Sequence, residues 1–134
     1  MGITNKKVIL TALFVGITLL CAVLCAVLFR IHYINSENQK LYNLYLSKAP
    51  NLETINLEDA TEKKRNTDGY GWMYYFDDQM MVWIMNESHA AVYVEGADYS
   101  YVNGVLTHIS FEITEFWGGT MYCSYLIDGS FLES

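Results

Sequence analysis

The sequence predicts an α+β protein: a single N-terminal transmembrane helix that continues as a stalk helix, packed on an antiparallel meander of about five strands. Three observations carry that expectation. Residues 8–29 contain no charged side chain, apolar residues then recur at steps of three and four to about residue 47, and beyond Tyr70 the period changes to two. A length of 134 residues allows one modest domain and leaves no room for a two-domain enzyme. A composition that is 52% hydrophobic, with a mean hydropathy of +0.14, excludes a disordered chain. The formal charge of −7 argues against a nucleic-acid partner, because phosphate contacts need clustered Lys and Arg.

The first element is residues 8–29, interrupted only by Thr11, Gly16 and Thr18. As a helix this run spans roughly 33 Å, enough for a hydrocarbon core of about 30 Å. Its length exceeds a signal-peptide core, no A-x-A-like site closes it, and Leu20 and Leu24 precede the cysteines where a lipoprotein signal has a small residue. An uncleaved anchor is therefore expected. Lys6 and Lys7 lie before the run and Arg30 after it, so positive-inside bias predicts residues 1–7 in the cytoplasm and the rest of the chain outside, in a single-pass cell-membrane protein. All fifteen acidic residues follow Arg30, and residues 31–134 carry 5 Lys/Arg against 15 Asp/Glu. Cys21 and Cys25 share one helix face, which suits packing and also allows acylation or a helix-to-helix disulfide. Only Cys123 lies beyond the anchor, so no disulfide can form within that part of one chain.

The stalk helix, residues 30–48, is read from Ile31, Ile34, Asn38, Leu41 and Tyr45, and Pro50 ends it. The stripe is either a coiled-coil seam or a face laid on the protein's own sheet; barely two heptads favour the sheet. Residues 49–69 read as a polar connection that includes the basic triplet Lys63-Lys64-Arg65. Four acids precede the triplet, which favours a solvated face over lipid contact.

Residues 70–134 are expected to form the β domain. Strands are predicted at 72–76 and 80–85 around Asp77-Asp78, at 90–95 after Asn86-Glu87-Ser88, at 105–116, and at 120–127. Asn103-Gly104 is a type I′ hairpin signal that sets Val102 opposite Val105 and Val94 opposite Ile113. A three-residue loop near Gly118-Gly119 sets Met121, Tyr125 and Ile127 opposite Trp117, Ile113 and Phe111. Residues 80–85 are apolar on both faces, as in a central strand covered on each side.

No catalytic or metal-ligating pattern emerges. His32, His89 and His108 lack any spacing of a metal motif, and Met81 and Met85 read as core residues with Trp83 between them. His108, Ser110 and Glu112 align on one strand face without an oxyanion hole or pocket-forming motif. Asp77-Asp78 reads as turn chemistry, Cys123 as an inert core thiol, and Asn86-Glu87-Ser88 matches the N-glycosylation acceptor pattern. No enzymatic activity and no cofactor are predicted.

The aromatic surplus points instead to a partner. All eleven tyrosines lie at or after Tyr33, together with Trp72, Trp83 and Trp117. The expected register puts Tyr99, Tyr101, Leu106 and His108 on one face, opposite Val105 and Ile109, and that face is the candidate partner-binding surface. The order of elements, an apolar helix continued by a stalk and then a meander, resembles type IV pilins and pseudopilins in outline. The prepilin signature is missing: Gly2 is followed by Ile3-Thr4-Asn5, and residues 8–29 hold no carboxylate. The expected function is a membrane-anchored protein with an extracytoplasmic protein-binding domain, an accessory or assembly subunit of an envelope complex. Its expected partners are the bilayer and another envelope or membrane protein, with self-association through the helix as a further route. The alternative is a tethered inhibitor or immunity-type protein that binds a basic toxin or enzyme.

Overall fold

The computed structural model describes residues 2–67, 70–128 and 131–132. Helix α1 (Gly2–Ser47) is followed by two short 3-10 turns, Leu52–Thr54 and Leu57–Asp59, each opened by an asparagine whose side chain caps the turn. Eight strands follow among the described residues: β1 (Glu62–Arg65), β2 (Trp72–Tyr75), β3 (Met81–Ile84), β4 (His89–Val94), β5 (Ala97–Val102), β6 (Val105–Thr114), β7 (Thr120–Leu126) and β8 (Phe131–Leu132). They form one antiparallel sheet in sequential order, each strand bonded to the next. The chain divides into two units, one up to Glu37 and one from Asn38.

In the first unit α1 is apolar around its circumference. Phe14 is 72% exposed and Phe29 74% exposed, and Leu, Ile and Val project on every side between them. A helix that is hydrophobic all round needs an apolar environment to cover it. α1 is the one helix among the described residues that is long and apolar enough to cross a membrane.

In the second unit residues 38–47 lie on the sheet. Tyr42 is buried in a cluster with Val82, Val92, Tyr99, Ile109 and Phe111, and Leu41, Tyr45 and Leu46 pack against it. The stripe expected to face the sheet does so over these residues. Polar side chains fasten it at its start and its middle. Asn38 exchanges hydrogen bonds with the backbone of Thr114, at 3.4 Å from Nδ2 to O and 3.3 Å from N to Oδ1. The Tyr42 hydroxyl donates to Leu126 O and Ile127 O at 3.1 and 2.7 Å.

The strand count exceeds the expected five for three local reasons. First, the segment from Ala90 to Val102 is two strands. Glu95 and Gly96 have φ of 52° and 86°, the left-handed pair a tight hairpin turn requires, so Val94 faces Ala97 instead of Ile113. Second, the polar connection holds β1, a charged edge strand paired with β2. Its cations lie over its neighbour's rings: Lys63 Nζ is 4.5 Å from the Trp72 ring centre and Lys64 Nζ 5.6 Å from that of Tyr75. Such residues suit an edge because they oppose pairing with a foreign strand. Third, the two residues of β8 add a strand beside β7.

Two other expectations shift in detail. The β6–β7 loop has the predicted length of three, but it is Phe116-Trp117-Gly118, closed by Glu115 N–H to Gly119 O at 2.7 Å. Met121 thus faces Ile113 instead of Trp117, and Tyr125 faces Ile109 instead of Ile113, four residues from the predicted partners and on the same face. β3 is not covered on both sides: Val82 is fully buried, while Met81 and Trp83 on its other face keep partial exposure.

Candidate interaction surface

The sheet has one face under residues 38–47 and one face without a helix over it among the described residues. Strand alternation and register assign every side chain to one or the other. Tyr74, Val82, Val92, Tyr99, Ile109 and Tyr125 form one row across β2 to β7 on the helix side. On the opposite side a row runs through Tyr75, Met81, Tyr93, Asp98, Ser110 and Ser124, and its neighbour through Met73, Trp83, Ala91, Ser100, His108 and Leu126.

The predicted partner-binding set is divided between these faces. Tyr99 is 1% exposed and Tyr101 3% exposed; with the half-buried Leu106 they belong to the core under the helix. Only His108 lies on the open face. The cause is a β-bulge. Val102 pairs with Val105 and Tyr101 with Leu106 as expected, but the register shifts between Ser100 and Tyr101, so Tyr99 faces Ile109. One extra residue in β6 reverses which side chains share a face. The two buried tyrosines also have bonds to satisfy there. Tyr99 OH donates to Tyr45 O at 2.8 Å and Tyr101 OH donates to Pro50 O. Tyr45 O, in the last turn of the helix, also accepts from Lys48 N–H at 3.2 Å, and the Tyr99 bond to it gives the core a polar anchor as well as a ring.

The open face has its own aromatic group. Tyr93 and Tyr122 are 41% and 48% exposed, and Trp83 and Tyr75 are partly exposed beside Met73 and Met81. Trp83 is oriented by its indole N–H, which donates to Tyr70 O at 2.8 Å. Asp98 stands between this apolar patch and a polar one. Burial raises its carboxyl pKa, and the nearby His108 opposes part of that rise. Tyr122 is pushed up to about 12 by burial first, then by Asp98 and Tyr93. Ser110 and Ser124 bond each other at 2.7 Å. Among the described residues the Asp98 carboxylate takes part in no ion pair. The strands on either side of it carry no Lys or Arg: residues 71–128 contain eight Asp/Glu and neither cation.

The chemistry singled out along the chain does not converge elsewhere. His108 Nδ1 bonds Thr107 Oγ1 at 3.0 Å, and Glu112 Oε1 accepts from Thr120 at 3.0 Å, so His108, Ser110 and Glu112 each have separate partners. Asp78 accepts from Met80 N–H at 3.3 Å within the β2–β3 loop. Asn86 Oδ1 accepts from the N–H groups of Ser88 and His89, both at 2.8 Å, as a turn residue does. Cys123 is fully buried, and burial raises its thiol pKa. No group of three His, Cys, Asp or Glu among the described residues is arranged to hold a metal. A cleft of about 350 Å³ beside Lys48, Pro50 and Tyr99 contains an ion pair, Lys48 Nζ to Glu95 Oε2 at 3.4 Å.

Tyr93 and Asp98 escape a reading of the sequence that carries the Asn103-Gly104 register back to Val94 without a turn. The signal was Glu95-Gly96: with a turn there, β4 and β5 are read separately. What the fold and this surface define is an α+β chain with a sequential antiparallel sheet, one face covered and one open. No family model, no curated protein and no solved structure matches the chain.

Proposed function

We propose that this chain is a single-pass membrane-anchored protein whose extracytoplasmic sheet binds another protein, as an accessory or assembly subunit of an envelope complex. The observation that carries the reading is the open sheet face, where Tyr75, Trp83, Tyr93 and Tyr122 keep partial exposure while Val82, Val92, Tyr99 and Ile109 on the other face are buried. Amphipathic rings of this kind are enriched where protein surfaces meet. The anchor is supported by the all-round apolar surface of α1, and the outward orientation by Lys6 and Lys7 before the apolar run. A tethered inhibitor or immunity-type protein is the second reading, favoured by the absence of Lys and Arg across residues 71–128.

A photo-crosslinking residue at Tyr93, in the full chain in native membranes, tests the reading. One discrete partner adduct is expected, absent when the crosslinker replaces Tyr99 in the core. Labelling of a Glu87→Cys variant by a membrane-impermeant maleimide on intact cells tests the orientation. Release of the chain by alkaline carbonate, or labelling only after lysis, overturns the anchored outward arrangement. An adduct lost when the membrane is dissolved in mild detergent favours the assembly subunit, and one that survives detergent favours the inhibitor reading.

A further inference from the structure

Resting on the protein-binding reading, we propose that the open sheet face seats a basic side chain of the partner, an arginine or lysine placed over Asp98 between the Tyr93 and Tyr122 rings. Asp98 lies on β5 directly opposite Tyr93 of β4 and Ser110 of β6, in the middle of the sheet and away from its edges. Ser110 faces Ser124 of β7, and Tyr122 lies two residues from Ser124 on the same face, opposite Glu112 and diagonal to the row of Asp98. The site is thus one partly desolvated carboxylate flanked by two half-exposed phenol rings.

The ligand class is set by that composition. A divalent cation takes six or more oxygen ligands, commonly from several carboxylates, and the described residues contain no such group. An anion is repelled by Asp98 with no Lys or Arg between residues 71 and 128 to offset it. An apolar segment would bury the carboxylate without a partner. A guanidinium or ammonium group satisfies both parts of the site: its N–H groups bond the carboxylate, and its charge lies against the ring faces. The same chemistry is already seen within the chain, where Lys63 lies over the rings of Trp72 and Tyr74 at 4.5 and 5.3 Å. The acidic surroundings add long-range attraction for a basic partner and set its approach.

The test uses the full chain in phosphatidylcholine nanodiscs and a fluorescein-labelled (Gly-Arg)₄ peptide, with (Gly-Glu)₄ as the acidic counterpart, followed by anisotropy. Binding of the arginine peptide alone is expected, weakened about tenfold or more by Asp98→Asn, a difference of about 1.4 kcal/mol. Tyr93→Ala is expected to weaken it less. Glu87→Gln removes one charge at the far end of β4 and is expected to leave binding unchanged. Circular dichroism of each variant verifies that it is folded. Equal loss in Asp98→Asn and Glu87→Gln overturns the seat, since net charge then explains the binding. Full binding by folded Asp98→Asn also overturns it. If Tyr93 crosslinks a partner in membranes and Asp98→Asn leaves that capture intact, protein binding stands and the basic seat falls. If no adduct forms and no peptide binds, both readings fall. Adducts formed only between two copies of the chain overturn the assignment to a different partner.

Discussion

Phe111 has no exposed surface and lies between two tyrosine rings, stacked on Tyr125 at 5.2 Å and tilted against Tyr45 at 5.0 Å. Truncation there removes a large buried ring and leaves a cavity that sheet and helix cannot close together. Phe111→Ala is expected to destabilise the second unit by about 3–5 kcal/mol, read as a lower urea midpoint at unchanged slope. The buried phenols make a pH prediction. Tyr99 and Tyr101 are pushed up to about 12, chiefly by burial, against about 10 for a tyrosine in an unfolded chain. The folded state keeps these protons after the unfolded state has lost them. Their contribution is therefore complete below about pH 10 and is lost as pH rises toward 12. Ultraviolet titration should show exposed tyrosines ionising first, with the remainder ionising as the fold is lost. Asp98 works in the opposite direction at neutral pH. Its raised carboxyl pKa means that ionisation costs stability in the folded state, so Asp98→Asn is expected to leave the melting temperature unchanged or higher.

At the scale of elements, turn chemistry decides which residues share a face. Asn103-Gly104 is legible because that dipeptide has one dominant hairpin use. Glu95-Gly96 makes a similar left-handed turn with a residue that seldom adopts it, and so reads as continuous strand. Gly71 and Gly96 separate the two reasons for glycine. A Cβ on Gly71 would lie 1.8 Å from Ile84 O, whereas one on Gly96 would meet nothing nearer than Tyr45 Oη at 3.7 Å. Gly96→Ala is expected to cost about 1–2 kcal/mol from backbone conformation alone. Gly71→Ala must also displace β3 and should lower the melting temperature further in the same assay. The bulge in β6 carries no glycine, and its one trace is Leu106-Thr107, apolar and polar where the alternation of Ile109, Phe111 and Ile113 asks for the reverse; the shift there divides the predicted partner set.

For the whole molecule, the segregation of apolar and acidic residues governs behaviour. On the anchored reading, the middle of residues 8–29 is the worst place for a charge. Leu19→Arg is expected to add about 3–4 kcal/mol to insertion and to shift the chain from the carbonate-resistant to the soluble fraction. The eight carboxylates of residues 71–128, without one Lys or Arg, should keep the second unit dispersed at low salt and selective for basic over acidic surfaces. The only clustered cations beyond the apolar run are Lys63, Lys64 and Arg65, and the sheet places all three on its first edge strand.

By itself the sequence determined the long apolar helix, the antiparallel character of the chain beyond it and five of the eight strand regions, because periods of 3.6 and 2 are local and survive without tertiary context. It also determined the charge segregation, which depends only on order along the chain. Tertiary structure decided which face of the sheet is open. That depends on the register past a bulge and on where residues 38–47 lie, both set by packing between residues distant in sequence. Tyr99 and Tyr101 went to the core because their hydroxyls reach backbone carbonyls at the end of the helix and at Pro50, and Tyr93, Asp98 and Tyr122 were left facing out.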